Sequence, residues 1–409
     1  MEKIPENLVL LPDNGSALVV DKQSQKIYLW ASKQGVYQQK FGFSCSTGEA
    51  WGSKSRSGDK KTPEGVYFFT DEYEDKYLSP IYGKKAFPTD YPNYLDKRAG
   101  RNGSAIWIHG TNKQLKPMDS NGCIAMNNQD ILAVADHIQL HQTPIIIAEE
   151  IRLQDEQTVE QLRSRVLDFI DQWKSALEGE DYHSYLRGYG PEYLPEIRWW
   201  EQWQTLKERA EKNGNPFSLA VKDPGIYMEK DIFVVTFDLM LTSPSFSETV
   251  EKKRFFIRKN GSGFAITGDP GETPARVGQE NQFSLLAAGS TLLRKSGPRF
   301  QVKTFVKNWL EAWSSKDMAA YSACYSQGFF ADGMGKKQWV DRKSRLAEKY
   351  SYIRVTGKSF NIQETSGQWV VTFLQNYQAS GFSARGIKKL VLVKEEGVWK
   401  ISQESWKKR

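Results

Sequence analysis

The sequence predicts a mixed architecture in three parts: a mostly β N-terminal domain followed by two tandem α+β domains, each led by helices and closed by a curved antiparallel sheet. Three observations lead there. At 409 residues the chain exceeds one ordinary domain of roughly 100–200 residues. Up to residue 70, short apolar runs alternate with Gly, Asn and Asp turns. Beyond residue 155, a set of aromatic and apolar positions recurs at a constant spacing.

Composition narrows the class. Hydrophobic residues at 39% and aromatic residues at 13% supply sizeable cores, and the 26% of charged residues are mixed in sign, so a soluble globular chain is expected. The net charge of +7 is not gathered into one basic run, and no nucleic-acid motif accompanies it, so no nucleic-acid partner is expected. Cys45, Cys123 and Cys324 show no CxxC or Cys/His ligand spacing, and neither a metal nor another cofactor is expected. His137 and His141 stand four residues apart, but HIQLH lacks the Glu of a zincin. MEKIPENLVLLPDNGS holds no long apolar run, so neither signal peptide nor transmembrane segment is read there; the chain is then cytoplasmic, or its leader has been removed.

In order, NLVLL, then SALVVDKQSQKIYLWASKQGVY read as strand, turn and hairpin, with Val19 and Val20 before the polar connection and Ile27, Leu29 and Trp30 after it. Phe41 to Ser46 is a further short apolar run, and VYFFT a strand. Tyr73 to Gly103, aromatic and punctuated by Pro and Gly, reads as an ordered excursion holding a short helix. SAIWIHG reads as a buried strand that delivers His109 at its end. NNQDILAVADHIQLH has the helical spacing of Ile131, Leu132, Val134, Ala135 and Ile138, and TPIIIAE closes the domain.

The second part opens with a charged helix from Asp155 to about Leu177, and here the repeat begins. Phe169 falls on Phe305, Trp173 on Trp309, Asp181 on Asp317, Tyr185 on Tyr321, Tyr189 on Tyr325, Trp203 on Trp339, and VVTF from Val234 on VVTF from Val370, each pair 136 residues apart. Helices followed by three or four strands make each copy an α+β unit with its sheet wrapped round the long helix. The order resembles the cystatin-like cone of the SnoaL and nuclear-transport-factor-two superfamily. Expected boundaries are 1–152, 155–270 and 299–409, with 271–298 as linker. Cones of this kind often enclose a pocket, so a glycan or peptide ligand is expected as a partner of either repeat, against the plainer reading of Trp199, Trp200, Trp203 and Trp339 as core.

The stretch HGTNKQLKPMDSNGCIAM carries the chemistry. It places one of four histidines, His109, fourteen residues before Cys123, each beside a glycine. An imidazole that takes the thiol proton leaves a strong nucleophile, the minimal equipment for covalent acyl transfer. A lone cysteine is most often a small buried hydrophobe, and Cys45 and Cys324 are read that way. Cys123 differs because of its context. Ile108-His109-Gly110 followed by Ser120-Asn121-Gly122-Cys123-Ile124, with Ser46-Thr47-Gly48 and Thr62-Pro63-Glu64-Gly65 upstream, resembles the YkuD family of L,D-transpeptidases over residues 8–150. Tyr91, Pro92, Asn93, Asp96, Gly100, Arg101 and Gly103 further resemble its YafK-type branch, which includes L,D-carboxypeptidases with a cystatin-like C-terminal domain.

The resemblance implies a peptidoglycan enzyme in which Cys123 attacks the carbonyl at the D-centre of diaminopimelate in a tetrapeptide stem and expels D-alanine. It implies His109 as base, oriented by the Gly110 carbonyl, and an oxyanion turn at Ser120, Asn121 and Gly122, in which the N–H groups of Gly122 and Cys123 are expected to face the developing oxyanion. Asn121 stands where many members have His, and Ala125 where many have Arg. Another cation must then bind the anionic peptide: Arg101, Lys113 and Lys116 are the candidates, ahead of Arg56 and Lys54. Tyr91 is expected beside them, lining the cleft. Water as acceptor makes the enzyme an L,D-carboxypeptidase, the reading the YafK-like segment and the cones favour. An amine makes it a crosslinking transpeptidase, cleavage of a protein–peptidoglycan amide is a third outcome, and an idle wall-binding module is the rival of another class. Such a substrate implies a periplasmic or cell-envelope location.

Overall fold

A computed structural model describes residues 3–193, 195, 197–243, 246–261, 263–270, 284–365 and 367–408. The chain forms two compact units, Met1–Lys207 with Pro216–Ala288, and Glu208–Asn215 with Gly289–Arg409.

In the first unit the N-terminal domain is built on a nine-stranded sheet. Its strands run in the order Gly65–Phe68, Pro144–Ala148, Ser16–Asp21, Lys26–Lys33, Val36–Ser46, Ile124–Asn127, Trp107–Thr111, Lys85–Pro88 and Tyr73–Glu74. Two pairs are parallel, Ile124–Asn127 with Trp107–Thr111 and Pro144–Ala148 with Ser16–Asp21. The sheet curls until its two ends approach: Phe69 bridges Thr89, and Asp90 N–H donates to the Phe68 carbonyl. Leu18, Val20, Ile27, Leu29, Phe87, Ile108, Ile124 and Ile147 fill the interior, each contributing about 1.5–3 kcal/mol by leaving water. Helix Asn128–Ala135 covers it through Ile131 and Val134.

Three local expectations change. The run read as starting at Phe41 is one strand from Val36 to Ser46. His109 lies in the middle of its strand. The helix read through His141 ends at Ala135, because turns closed by the Thr143 hydroxyl follow and His141, at φ 63°, donates its N–H to Phe69.

The first cone follows within the same unit. Helix Glu156–Glu178 buries Val159, Val166, Ile170, Trp173 and Leu177, a stripe at helical spacing, against a sheet ordered Gly263–Gly268, Phe246–Asn260, Ile232–Ser243, Ser218–Glu229 and Leu8–Leu10. The last strand comes from the N-terminus. Sequence pattern assigned Leu8–Leu10 to the N-terminal domain, yet its backbone pairs with the cone at Ile226 and Tyr227. Further ties join the two sheets: Arg254 meets Asp90 and lies 4.0 Å over the Phe68 ring, and Tyr94 stacks on Phe256. Gly268 is required there, since a Cβ would stand 2.1 Å from the Tyr94 ring.

The second unit is the other cone. Helix Pro298–Ser314 buries Val302, Val306, Trp309, Leu310 and Trp313 against the antiparallel strands Ile353–Thr365, Gln368–Ala379, Phe382–Glu395 and Val398–Lys408. The repeat read in sequence has matching internal geometry. Trp173 Nε1 donates to Tyr189, whose hydroxyl is bonded to that of Tyr185; Trp309 Nε1 donates to Tyr325, whose hydroxyl is bonded to that of Tyr321. Buried ion pairs correspond too, Lys253 with Asp269 and Lys388 with Glu404. Of the expected linker, 271–283 lie outside the described residues, and Ser284–Ser296 is helix.

Candidate active site

Strand register decides whether the thiol and the imidazole meet. His109 pairs with Ala125 across the parallel strands, and Cys123 ends the turn that leads into the second of them, two residues before Ala125. His109 Nδ1 is 2.6 Å from the Gly110 carbonyl oxygen. That contact places the proton on Nδ1 and leaves Nε2 as the basic atom. The ring of Tyr82 meets the imidazole edge-on at 5.0 Å, and Trp107 and Tyr73 continue the aromatic wall.

The electrostatics are those of a neutral pair. Burial lowers the His109 pKa, against the pull of the Gly110 carbonyl. Burial raises the Cys123 pKa, opposed by the Trp107 backbone N–H and the Lys54 charge. The half-buried thiol donates to the Ala105 carbonyl at 3.3 Å. Ala105 is held at φ 57°, a conformation that costs a non-glycine residue of order 1 kcal/mol and marks strained functional loops.

The two upstream motifs form the frame of the cysteine turn. Ser120 N–H donates to the Thr47 carbonyl and its own carbonyl accepts from Glu49, while Asp119 N–H donates to Ser46 Oγ. Thr62 Oγ1 donates to the Gly122 carbonyl and accepts from Gly48 N–H. Ser120 Oγ donates to the Cys123 carbonyl at 2.6 Å and accepts from Gly122 N–H at 3.1 Å. The Gly122 N–H expected to face an oxyanion is therefore engaged inside the turn. Gly122 sits at φ 123° with a Cβ position 2.8 Å from the Lys61 carbonyl, so only glycine fits. Asn121 is exposed.

Two residues that the sequence reading passed over complete the frame. Gln25 accepts from Thr47 and Met118 N–H and donates to Thr47 Oγ1 and the Lys22 carbonyl. Lys22, 2% exposed, holds Gly52, Thr62 and Glu64. Neither stands in a recognisable motif, and only their burial as polar side chains marks them. Gly48 is a test of the frame, because a Cβ there would lie 2.2 Å from the Lys60 carbonyl oxygen. Gly48→Ala is expected to destabilise the N-terminal domain by about 3 kcal/mol, read as a lower thermal midpoint.

The remaining candidates divide by position. Tyr91, expected to line the cleft, is 5% exposed, packs edge-on against Tyr67 and donates to the Asn102 carbonyl; it is part of the core. Arg101 is engaged by Asp96 at 2.7 Å, with Glu229 of the first cone 3.9 Å away. Lys113 and Lys116 are exposed on the loop between His109 and Cys123, and Arg56 is exposed as well. Lys54, ranked low by sequence, is buried against Asp59 and the Arg56 carbonyl and is the cation whose charge reaches Cys123. Cys45 is a buried free thiol, pushed up to about 12 by burial and then by Asp21. Among the described residues no group of three His, Cys, Asp or Glu side chains is arranged to hold a metal ion, and no helix is long and apolar enough to cross a membrane.

The cones differ in the space they enclose. In the second, a cavity of about 370 Å³ is lined by Trp313, Trp339, Gln375 and Tyr377. Lys343 stands in it with its ammonium 5.1 Å from the Trp313 ring and 4.9 Å from that of Trp339, and burial pushes it down to about 8. At the corresponding places the first cone has buried Leu177, Leu239 and Leu241, and its Lys207 is tied to Glu178 and Glu180.

Comparison with known proteins identifies two segments of the chain. Residues 15–147 match the L,D-transpeptidase catalytic domain YkuD, and residues 301–405 match the Cds6 C-terminal NTF2-like domain. Among solved structures, the helical cell shape determining protein Pgp2 from Campylobacter jejuni is 24% identical with a TM-score of 0.51, covering 65% of this chain and 94% of that one. Bd1075 of Bdellovibrio bacteriovorus is 20% identical over 100% of this chain and 99% of its own, with a TM-score of 0.36. No curated protein matches the chain.

Proposed function

We propose that this chain, which carries a YkuD L,D-transpeptidase catalytic domain followed by NTF2-like architecture, is a cysteine-dependent L,D-carboxypeptidase of peptidoglycan tetrapeptide stems. One observation supports the acyl-transfer chemistry: Cys123 stands at the mouth of the strand that pairs with that of His109, whose Nδ1 is held by Gly110. Cys123 Sγ attacks the diaminopimelate carbonyl as its proton passes to His109 Nε2. The C–N bond then breaks, and the imidazolium gives that proton to the departing D-alanine amine. Water attacks the thioester carbonyl, losing a proton to His109; the C–S bond then breaks, releasing the shortened stem as its carboxylic acid, and His109 returns the proton to the sulfur. The oxyanion takes the Cys123 N–H, since that of Gly122 is engaged by Ser120. Exposed Lys113 and Lys116 supply cations for the anionic stem, with Lys54 acting on the sulfur from beneath.

Water as acceptor is supported by the YafK-like segment from Tyr91 to Gly103 together with the appended cones. Mass spectrometry of a disaccharide tetrapeptide incubated with the protein tests this reading: loss of D-alanine is expected. Dimers would instead make the chain a crosslinking transpeptidase, and cleavage of a protein-linked muropeptide a hydrolase of that amide. No product from any of the three would leave a wall-binding module. The substrate places the enzyme in the periplasm or cell envelope.

A second reading concerns the cones. The open, aromatic cavity with Lys343 favours the second cone as the site for a glycan or peptide carrying a carboxylate. Lys343→Met is expected to weaken binding of a soluble muropeptide about tenfold by calorimetry, whereas Lys207→Met leaves it unchanged. Equal affinity in Lys343→Met would remove this site.

A further inference from the structure

We infer that Glu229 of the first cone is a positioning residue for Cys123, acting through Arg101 and the loop that carries Ala105. The inference rests on the acyl-transfer reading above. It starts from a side chain that enters the N-terminal domain from outside it: Glu229 ends the strand Ser218–Glu229, yet its carboxylate lies against Gly65, Tyr67 and Arg101. A Cβ at Gly65 would stand 2.9 Å from Glu229 Oε2, so the glycine of the TPEG motif is what admits the carboxylate.

From there the path is continuous. Arg101 Nη2 faces Glu229 Oε1 at 3.9 Å, its Nε is 2.7 Å from Asp96 Oδ1, and its N–H donates to the Asp96 carbonyl. Asp96, 1% exposed, is fixed in turn by the Asn93 N–H and the Tyr67 hydroxyl. The next residue, Asn102, donates to the Ser55 carbonyl, accepts from Ser57 N–H, and takes the Tyr91 hydroxyl on its carbonyl. Beyond it, Ile106 is buried and its carbonyl accepts from Thr89. Ala105 hangs between these anchors at φ 57°, and its carbonyl is the acceptor for Cys123 Sγ. A residue in that conformation keeps it only while both flanks are held.

Asp96 alone does not explain the arrangement. Arg101 is hydrogen-bonded to Asp96 through Nε, and Glu229, 3.9 Å from Nη2, adds a longer electrostatic restraint on the outer side of the guanidinium. The cost of bringing Glu229 there is visible, because burial and then the Asp96 charge push it up to about 7 against the pull of Arg101. The first cone thereby supplies part of the rigid support of the thiol.

The test uses the full chain with Glu229→Leu and the near-isosteric Glu229→Gln. Expected in Glu229→Leu are a kcat on tetrapeptide about tenfold lower, a KM within about twofold of wild type, and Cys123 alkylation by iodoacetamide about threefold faster, as the sulfur loses its carbonyl partner. Glu229→Gln should fall between. Wild-type kcat and alkylation in folded Glu229→Leu would overturn the inference, as would a loss of kcat matched by an equal loss of folded protein in both variants. A wild-type chain inert toward every muropeptide defeats the functional reading instead, and the alkylation rates still decide the role of Glu229.

Discussion

Cys123→Ala is expected to abolish release of D-alanine from tetrapeptide muropeptides, by roughly 10⁴-fold or more, because covalent catalysis without its nucleophile retains only binding and oxyanion stabilisation. The fold should not register the change. Cys123 is half-buried, its thiol donates to the Ala105 carbonyl, and the turn that carries it is held by Ser120, Thr47, Thr62 and Gly48 rather than by the thiol. A thermal midpoint within a few degrees of wild type, with no detectable product by mass spectrometry, is the expected pair of results. Residual turnover above one per cent would show that another group performs the acyl transfer. Cys123→Ser should be nearly as inactive, since a hydroxyl is far harder to deprotonate with an imidazole whose own pKa is lowered by burial.

The second large effect concerns pH. An imidazolium–thiolate pair formed before substrate arrives would require the cysteine to titrate below its ordinary value and the histidine above it. Both groups move the other way here: burial raises Cys123 from 9.0 and lowers His109 from 6.5. At neutral pH both are therefore uncharged, and the thiolate forms only as the proton transfers during attack. Loss of the neutral base sets the acid limb of kcat/KM, so that limb should lie below pH 6.5; the alkaline limb, set by the free thiol, should lie above pH 9. His109→Ala is expected to lower kcat/KM about 10³-fold and to abolish the acid limb. Iodoacetamide supplies an independent readout, with alkylation of Cys123 slow at pH 7 and rising through pH 9. A rate already maximal at pH 6 would mean that a preformed thiolate exists and would sink the neutral-pair account.

The residues that perform the proposed chemistry were legible in the chain because they lie in short local patterns. His109-Gly110 lies within one strand and Ser120-x-Gly122-Cys123 within one turn, where sequence neighbours are spatial neighbours. The repeat was legible for a similar reason: Trp173 and Tyr189 recur as Trp309 and Tyr325, and each pair makes the same indole-to-hydroxyl hydrogen bond. Arg101 and Tyr91 show where that reasoning stopped. As a cation and an aromatic ring beside a catalytic motif they looked like ligands for a peptide, but burial beside Asp96 and Tyr67 engages one and encloses the other. Lys54 ran in the opposite direction, an unremarkable lysine in a polar loop that folding places where its charge reaches the sulfur.

By itself, then, the sequence determined the mixed β and α+β architecture and the duplicated cones, which follow from residue type and periodicity along the chain, and it pointed through its motifs to the proposed nucleophile and base. Tertiary structure alone decided that Leu8–Leu10 pairs with the first cone, that the STG and TPEG motifs brace the cysteine turn, that burial raises the thiol pKa and lowers that of the imidazole, and that the cones differ in their interiors. The physical reason is common to all four. Backbone pairing between distant strands, the burial that shifts a proton equilibrium, and the filling of a cavity depend on what long-range packing brings together, which local periodicity does not specify.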